Sequence, residues 1–407
     1  MKTIAIIGAG VTGVTTAWVL NQLGYKVTVF EKQRYPSVVT SYANGGQISA
    51  SNAEVWNHFG TILKAASWLL KKDAPLKINY FPDWHKVSWA CQFLMQTAHY
   101  KKNTIETTRM AIESRHQMKK IMDASGIEFD KSDCGILHVY NSQKEFEHAH
   151  KVNELLAAGG LQRQRLTSNE VSEIEPNLRK KFIGGYYTKT DSTGDIHKFT
   201  YNLAEVAKSK GVEFRLWTDV TNVQAINGQV KINFQPNQEE QQTDIFDGAV
   251  LCAGVASHHF SQKLGDRVNI YPVKGYSITI PLSDTKAQEN APNVSLLDDE
   301  AKIVTSRLGV DRFRVAGTAE IAGYNLDIED ARITPLKKWV EQNCSELPTK
   351  DLCPWAGLRP MRPNMLPLVA RSKKPNIFYN TGHGHLGWTL ACYTANMVGE
   401  LIQNTEL

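Results

Sequence analysis

The 407-residue sequence lacks any run approaching the roughly 20 consecutive apolar residues that a membrane-spanning helix needs, which argues against an integral membrane protein. Cysteine is sparse. Cys91, Cys134, Cys252, Cys344, Cys353 and Cys392 are the only six, with no CxxC or metal-like spacing, so a disulfide scaffold is not expected. His258-His259 and the pair His148 and His150 lack the acids or further ligands of a metal site, and no metal is expected. A long basic run is also missing: the lysine pairs at 71–72, 101–102, 180–181 and 373–374 are dispersed and the net charge is only +5, so nucleic acid is not an expected partner. The opening residues show no positive segment leading into an apolar core and cleavage site, and the expected location is cytoplasmic.

What is present is an ordinary enzyme composition, 42% hydrophobic and 21% charged, in a chain long enough for two packed domains and a large pocket. The first 32 residues carry the clearest motif. A β-branched apolar run at 3–7 leads into Gly8-Ala9-Gly10-Val11-Thr12-Gly13, and apolar residues at helical spacing follow over 14–23. Gly8 allows a tight turn, Gly10 a close approach to a pyrophosphate, and Gly13 close packing of helix on strand. The helix N-terminus attracts the phosphates. Gly24 ends the helix, a second strand spans 26–30, and Glu31 stands where a carboxylate accepts hydrogen bonds from a ribose. NAD and FAD share that ribose, so the motif alone leaves the two open.

Two later stretches belong with this unit: the strand and small-residue turn FDGAVLCAG at 246–254, and the strand, glycine turn and helix at 376–402. Together they predict a doubly wound α/β sheet assembled from the beginning, middle and end of the chain. The segments between, with a strand and helix over 135–160 and extended patterns at 268–282 and 313–321, read as a second, mixed-sheet α+β domain that faces the substrate. The expected division is 1–60, 190–262 and 351–407 for the nucleotide-binding domain, and 61–189 with 263–350 for the substrate domain. The polar run at 236–244 reads as a solvated loop between strands.

Six segments resemble the D-amino acid dehydrogenase family, within the D-amino acid oxidase, glycine oxidase and sarcosine oxidase superfamily. They are SYANGGQIS (41–49), TGDIHKFTYNLA (193–204), YPVKGYSITIPL (271–282), RVAGTAEIAGYN (314–325), WAGLRPMRP (355–363) and NTGHGHLGW (380–388), in the family's order along the whole chain. The resemblance implies a D-amino acid oxidase-like fold with noncovalent FAD lying across a Rossmann-like domain. It implies oxidation of D-amino acids, by hydride transfer from Cα to flavin N5, to imino acids that hydrolyse to 2-oxo acids and ammonia. Electrons then pass to a quinone or another acceptor. The alternatives are an oxidase of glycine, proline or another secondary amine on the same fold, and a flavin-binding protein with a compromised site.

On this resemblance Arg359 matches the substrate-carboxylate arginine, and its planar fork suits bidentate binding. Tyr276 matches a pocket-facing strand residue whose phenol would reach substrate, against the plainer reading of a half-buried strand tyrosine. Cofactor contacts are expected from Gly8, Gly10, Val11, Thr12, Gly13, Glu31 and Lys32, and from Arg359 as well. Thr40 and Ser41 would lie near the pyrophosphate or ribityl chain. Asn44, Gly45, Gly46 and Gln47 would run along the flavin, Val220 would precede a strand beside the adenine, and Ala253 and Gly254 would close the dinucleotide site. Around Gly382, His383, Gly384, His385, Leu386 and Gly387 the glycines suggest that backbone amides, not imidazoles, act on the flavin.

The chain departs from the family's R-P-x-T-P-D-G-x-P, since Asn364 replaces the acid and Met365 the glycine. His385 stands for a common threonine and Gly45 for an alanine. Finally, Trp56, Trp68, Trp84 and Trp89, with Leu69-Leu70, Lys71-Lys72, Tyr80-Phe81 and Lys86, make 56–89 a candidate for peripheral contact with the inner face of the cytoplasmic membrane. Core packing of the second domain is the competing reading.

Overall fold

A computed structural model describes residues 1–60, 76–78, 83–344 and 346–407. Its first element is the predicted strand Thr3–Ile7, paired in parallel with Lys26–Phe30 on one side and Gly248–Leu251 on the other. Glu213–Arg215 and Ile377–Thr381 extend the parallel pairing outward, and Leu368–Arg371 closes one edge antiparallel, giving six strands. The central strands Thr3–Ile7 and Gly248–Leu251 are apolar and buried at every residue but Thr3 because both faces are covered. Helices Val11–Gln22, Ile196–Ser209 and Gly387–Gln403 contribute Val14, Trp18, Phe199, Leu203, Trp388 and Val398 to one continuous core against them. The first helix begins at Val11, three residues before the predicted start, since Gly10 already serves as its N-cap.

The second sheet is mixed and has nine strands. Cys353–Met361, Tyr271–Pro281, Arg312–Ile321, Ile303–Leu308, Ser295–Asp298, Ile136–Tyr140, Gly184–Thr188 and Gln164–Thr167 follow in that order, with Leu76–Ile78 pairing Arg312–Ile321 in parallel. Strands from both predicted intervals of the second domain enter it, and so does Cys353–Met361 from the last stretch of the chain. This is the mixed α/β architecture expected from the sequence.

One element differs from the reading of 236–244 as a loop. Only the segment between Pro236 and Gln242 is a turn, because Gln242–Phe246 pairs antiparallel with Gln229–Pro236. Gln242–Phe246 is the edge of a three-stranded sheet and largely exposed, which explains polar residues in a strand. Among the described residues no helix is long and apolar enough to cross a membrane. Of the candidate membrane patch, residues 68–72 and 80–81 lie outside the described residues. Trp89 is buried and donates its indole N–H to the Met361 carbonyl at 2.7 Å, so it packs inward; Trp84 is 83% exposed.

Candidate active site

One cavity of about 760 Å³ runs from the carboxyl ends of the parallel strands to the face of the nine-stranded sheet. At the first end, Gly8 has φ +105 and a Cβ there would meet the Cys252 carbonyl oxygen at 2.8 Å, so the turn admits no other residue without a backbone shift. Gly10, Val11 and Thr12 open the first helix onto the cavity, and Val11 N–H donates to Ser41 Oγ at 3.1 Å. Gly13 alone of the predicted cofactor residues does not line the cavity; it sits behind, against Gly8.

Glu31 accepts the Ala9 N–H at 2.7 Å with one carboxylate oxygen and the Gln33 N–H at 2.8 Å with the other. Burial raises its pKa and these bonds oppose the rise. An ionised carboxylate has about four acceptor sites, so capacity remains for a sugar hydroxyl. Lys32 turns outward to Asp219 at 3.2 Å. Val220 lies within the strand Thr218–Ile226, at its bulge, and not before it as expected from the sequence. Ala253 and Gly254 form the turn after Gly248–Leu251, and a Cβ on Gly254 would meet nothing within 4 Å, so the cavity is open beside it.

Thr40 donates to the Leu358 carbonyl at 2.9 Å. The loop carrying Asn44, Gly45 and Gly46 is pressed on the second sheet: a Cβ on Gly45 would meet Val304 at 2.6 Å and one on Gly46 would meet Ser306 at 2.8 Å. Gln47 donates to Ser295 Oγ at 2.8 Å, and its own Oε1 has no partner among the described residues. Across the cavity, Gly382 and Gly384 have φ +74 and +59, which bends the backbone ahead of the last helix. His383 bonds Thr394 at 2.9 Å, while His385 bonds the Asn52 carbonyl at 3.3 Å and stacks on Trp56. Burial drives their pKa values down to about 3 and about 4, so both imidazoles are neutral at physiological pH and weak as bases. Leu386 and Gly387 line the cavity, where the last helix begins directly after the short turn Gly384–Leu386.

Arg359 projects over Gly275, where a Cβ would stand 2.2 Å from its Nη2. Its Nη1 donates to the carbonyls of Thr318 at 3.2 Å and Lys274 at 3.5 Å. Among the described residues it has no carboxylate in ion-pair distance, and burial lowers its pKa to about 10, so it stays charged. The guanidinium is only half-buried because it faces the cavity, and an anion bound there would pair with its charge.

Tyr276 requires a correction. It contributes to the cavity wall, but its hydroxyl donates to Glu320, and its ring packs with Ile278, Leu336 and Trp339. Arg359 pairs with Val273 across the strands, and alternation puts Tyr276 on the other face. The O–H expected to face substrate is donated to Glu320 on that other face instead. Met365 adopts φ +62, the conformation a glycine takes easily, so the loop keeps that shape despite the substitution. The Asn364 side chain accepts the Leu366 N–H at 3.2 Å. Sequence reasoning did not single out Thr318 or Trp388, both in the wall; each lay inside a motif, but neither residue type signals a role.

The wall thus offers a glycine turn beside a helix N-terminus, an acid at the next strand end, and three buried polar atoms without partners among the described residues: Gln47 Oε1, Thr318 Oγ1 and Trp388 Nε1. These suit an extended dinucleotide with a polar ring system. A family profile described as FAD dependent oxidoreductase matches residues 3–401. The chain belongs to that family. As an FAD-dependent oxidoreductase it is 50% identical, over 99% of its length and 97% of the relative's, to D-amino acid dehydrogenase 3 of Mesorhizobium japonicum. It is 38% identical to the D-amino acid dehydrogenase of Paramagnetospirillum magneticum, over 98% of this chain and 94% of that one. Solved structures of glycine oxidase from Geobacillus kaustophilus and L-proline dehydrogenase from P. horikoshii both superpose with TM-score 0.75. Their identities are 17% and 18%, the matches cover this chain fully and 96% and 94% of theirs, and at that distance they show the fold.

Proposed function

We propose that this oxidoreductase oxidises D-amino acids to imino acids, which hydrolyse to 2-oxo acids and ammonia, and delivers the electrons to a quinone or another acceptor. The observation that carries the proposal is Arg359, a guanidinium in the cavity wall with no carboxylate partner among the described residues. The names of relatives up to 50% identical support the same substrate class. FAD, when bound, supplies a two-electron acceptor for the hydride from Cα.

The protein's own contribution is placement. Arg359 would hold the substrate carboxylate through two parallel N–H bonds and so fix where the α-hydrogen points, a pre-orientation that can lower the barrier by several kcal/mol. The buried walls exclude water and strengthen that attraction. The N-terminal end of the last helix lies at the cavity, where its dipole would favour negative charge. No side chain is assigned as base, because His383 and His385 are too weakly basic and desolvation of the substrate ammonium itself favours its neutral form. We assign the cofactor to the predicted segments 1–60, 190–262 and 351–407, and substrate contacts also to the nine-stranded sheet.

Anaerobic mixing of the yellow protein with matched D- and L-amino acids tests this. Bleaching by D-enantiomers alone, with colour restored by a quinone analogue, is the expected result; bleaching by L-enantiomers or by none would overturn it.

A further inference from the structure

We propose that Thr318 is a substrate-positioning residue, which aims Arg359 through its carbonyl and completes the same anion site with its hydroxyl. The inference rests on the reading of Arg359 as the carboxylate clamp. Thr318 has φ +57, a region that a β-branched side chain occupies only under strain. The strain sits at a break in register. Lys274 pairs with Glu320 and Tyr276 with Gly317, so Thr318 and Ala319 together face the single residue Gly275.

That bulge is held from both sides. The Thr318 carbonyl accepts from Arg359 Nη1 at 3.2 Å on the cavity side, and the next carbonyl, of Ala319, accepts from Arg332 Nη2 at 3.2 Å on the other. Gly275 supplies the space in which the Arg359 fork lies. If the site needed only a left-handed residue, glycine or asparagine would fill it without strain. Threonine adds a hydroxyl instead, and that hydroxyl is buried in the cavity wall with no hydrogen-bond partner among the described residues. Leaving a buried hydroxyl unpaired is unfavourable unless a ligand completes it. A carboxylate bound at Arg359 supplies an acceptor beside the same bulge, reached by rotation of the Thr318 side chain, since the hydroxyl oxygen itself has almost no exposed surface. Backbone strain retained at a ligand-binding position follows the same pattern.

The test uses the FAD-loaded protein, binding of the unreactive carboxylate propionate followed by the perturbation of flavin absorbance, and urea midpoints measured without propionate. Thr318→Val keeps the branched shape and removes the hydroxyl; it is expected to weaken propionate binding about tenfold, the effect of losing one bond to a charged group. Its urea midpoint should be unchanged or higher, because the lost group had no partner. Thr318→Ser should bind propionate as wild type does. Wild-type affinity in Thr318→Val, or a lower urea midpoint in that variant, would overturn the inference. Arg359→Lys separates the two levels: weakened binding in it beside a silent Thr318→Val leaves the clamp reading standing and removes only the role of Thr318. Wild-type binding in Arg359→Lys removes both.

Discussion

A Cβ on Gly13 would stand 1.9 Å from the carbonyl oxygen of Gly8, so the first helix touches the glycine turn through bare backbone. Neither partner can yield by rotating a side chain. Gly13→Ala is therefore expected to push the helix off the turn, lowering stability by about 3 kcal/mol and releasing FAD. Gly24→Ala is the contrast, since nothing lies within 4 Å and only its φ of +86 is strained. That change should cost roughly 1–2 kcal/mol and leave FAD bound. Urea midpoints and the yellow colour of the purified variants check both.

Met365 poses a choice between strain and packing. Relief of its φ of +62 by Met365→Gly is worth about 1 kcal/mol. Against that, Met365 is 1% exposed and packs with Val55, Trp89, Tyr271, Val273 and Met361. Removing such a side chain costs about 2–5 kcal/mol. Packing wins, so Met365→Gly should be less stable than wild type by about 2 kcal/mol. A variant at or above wild-type stability in a urea titration would show that the backbone strain had been the larger effect.

The residues most readable from sequence are those whose role is local. Gly8, Gly10, Gly13 and Glu31 lie on one strand–turn–helix–strand unit, and their relation follows from turn geometry and helix packing alone. Tyr276 was misread because its strand is buried on nearly every residue, so alternation names two faces without saying which one looks into the cavity. The position of Thr318 depends on a register shift between strands 274 and 320, which pairing across the sheet creates and a linear pattern does not carry. The edge strand Gln242–Phe246 was hidden for the opposite reason. Its polar side chains face water, so it lacks the apolar signal used to find strands.

Arg359→Leu tests the clamp through stability as well as rate. Replacing this half-buried cation, which has no carboxylate partner among the described residues, by a smaller apolar side chain is expected to leave stability nearly unchanged, since loss of its bonds to the Thr318 and Lys274 carbonyls is offset by removal of an uncompensated charge. Substrate turnover should fall about 100-fold or more in kcat/KM, equivalent to about 2.7 kcal/mol of lost transition-state binding, with FAD still bound. A fall in kcat/KM accompanied by loss of FAD or of stability would assign Arg359 a structural role instead. Steady-state dye reduction and urea unfolding of the same preparation distinguish these outcomes.

His383 gives the protein a built-in sensitivity to mild acid. It is 2% exposed, and burial, reinforced by the nearby Arg362 charge, lowers its pKa to about 3, whereas an unfolded histidine titrates near 6.5. Between those values the unfolded chain binds a proton that the folded one refuses. Stability is therefore complete above about pH 6.5 and declines as pH falls, until the folded group also titrates. Over the interval from pH 6.5 to pH 5 the loss from this one residue is about 2 kcal/mol. His383→Gln removes the titration while keeping a side chain able to reach Thr394, now 2.9 Å from His383 Nε2. That variant should start less stable at pH 7 yet lose less on acidification, so the two stability curves converge toward pH 5. Parallel curves would mean that His383 takes up its proton in the folded state as readily as in the unfolded chain.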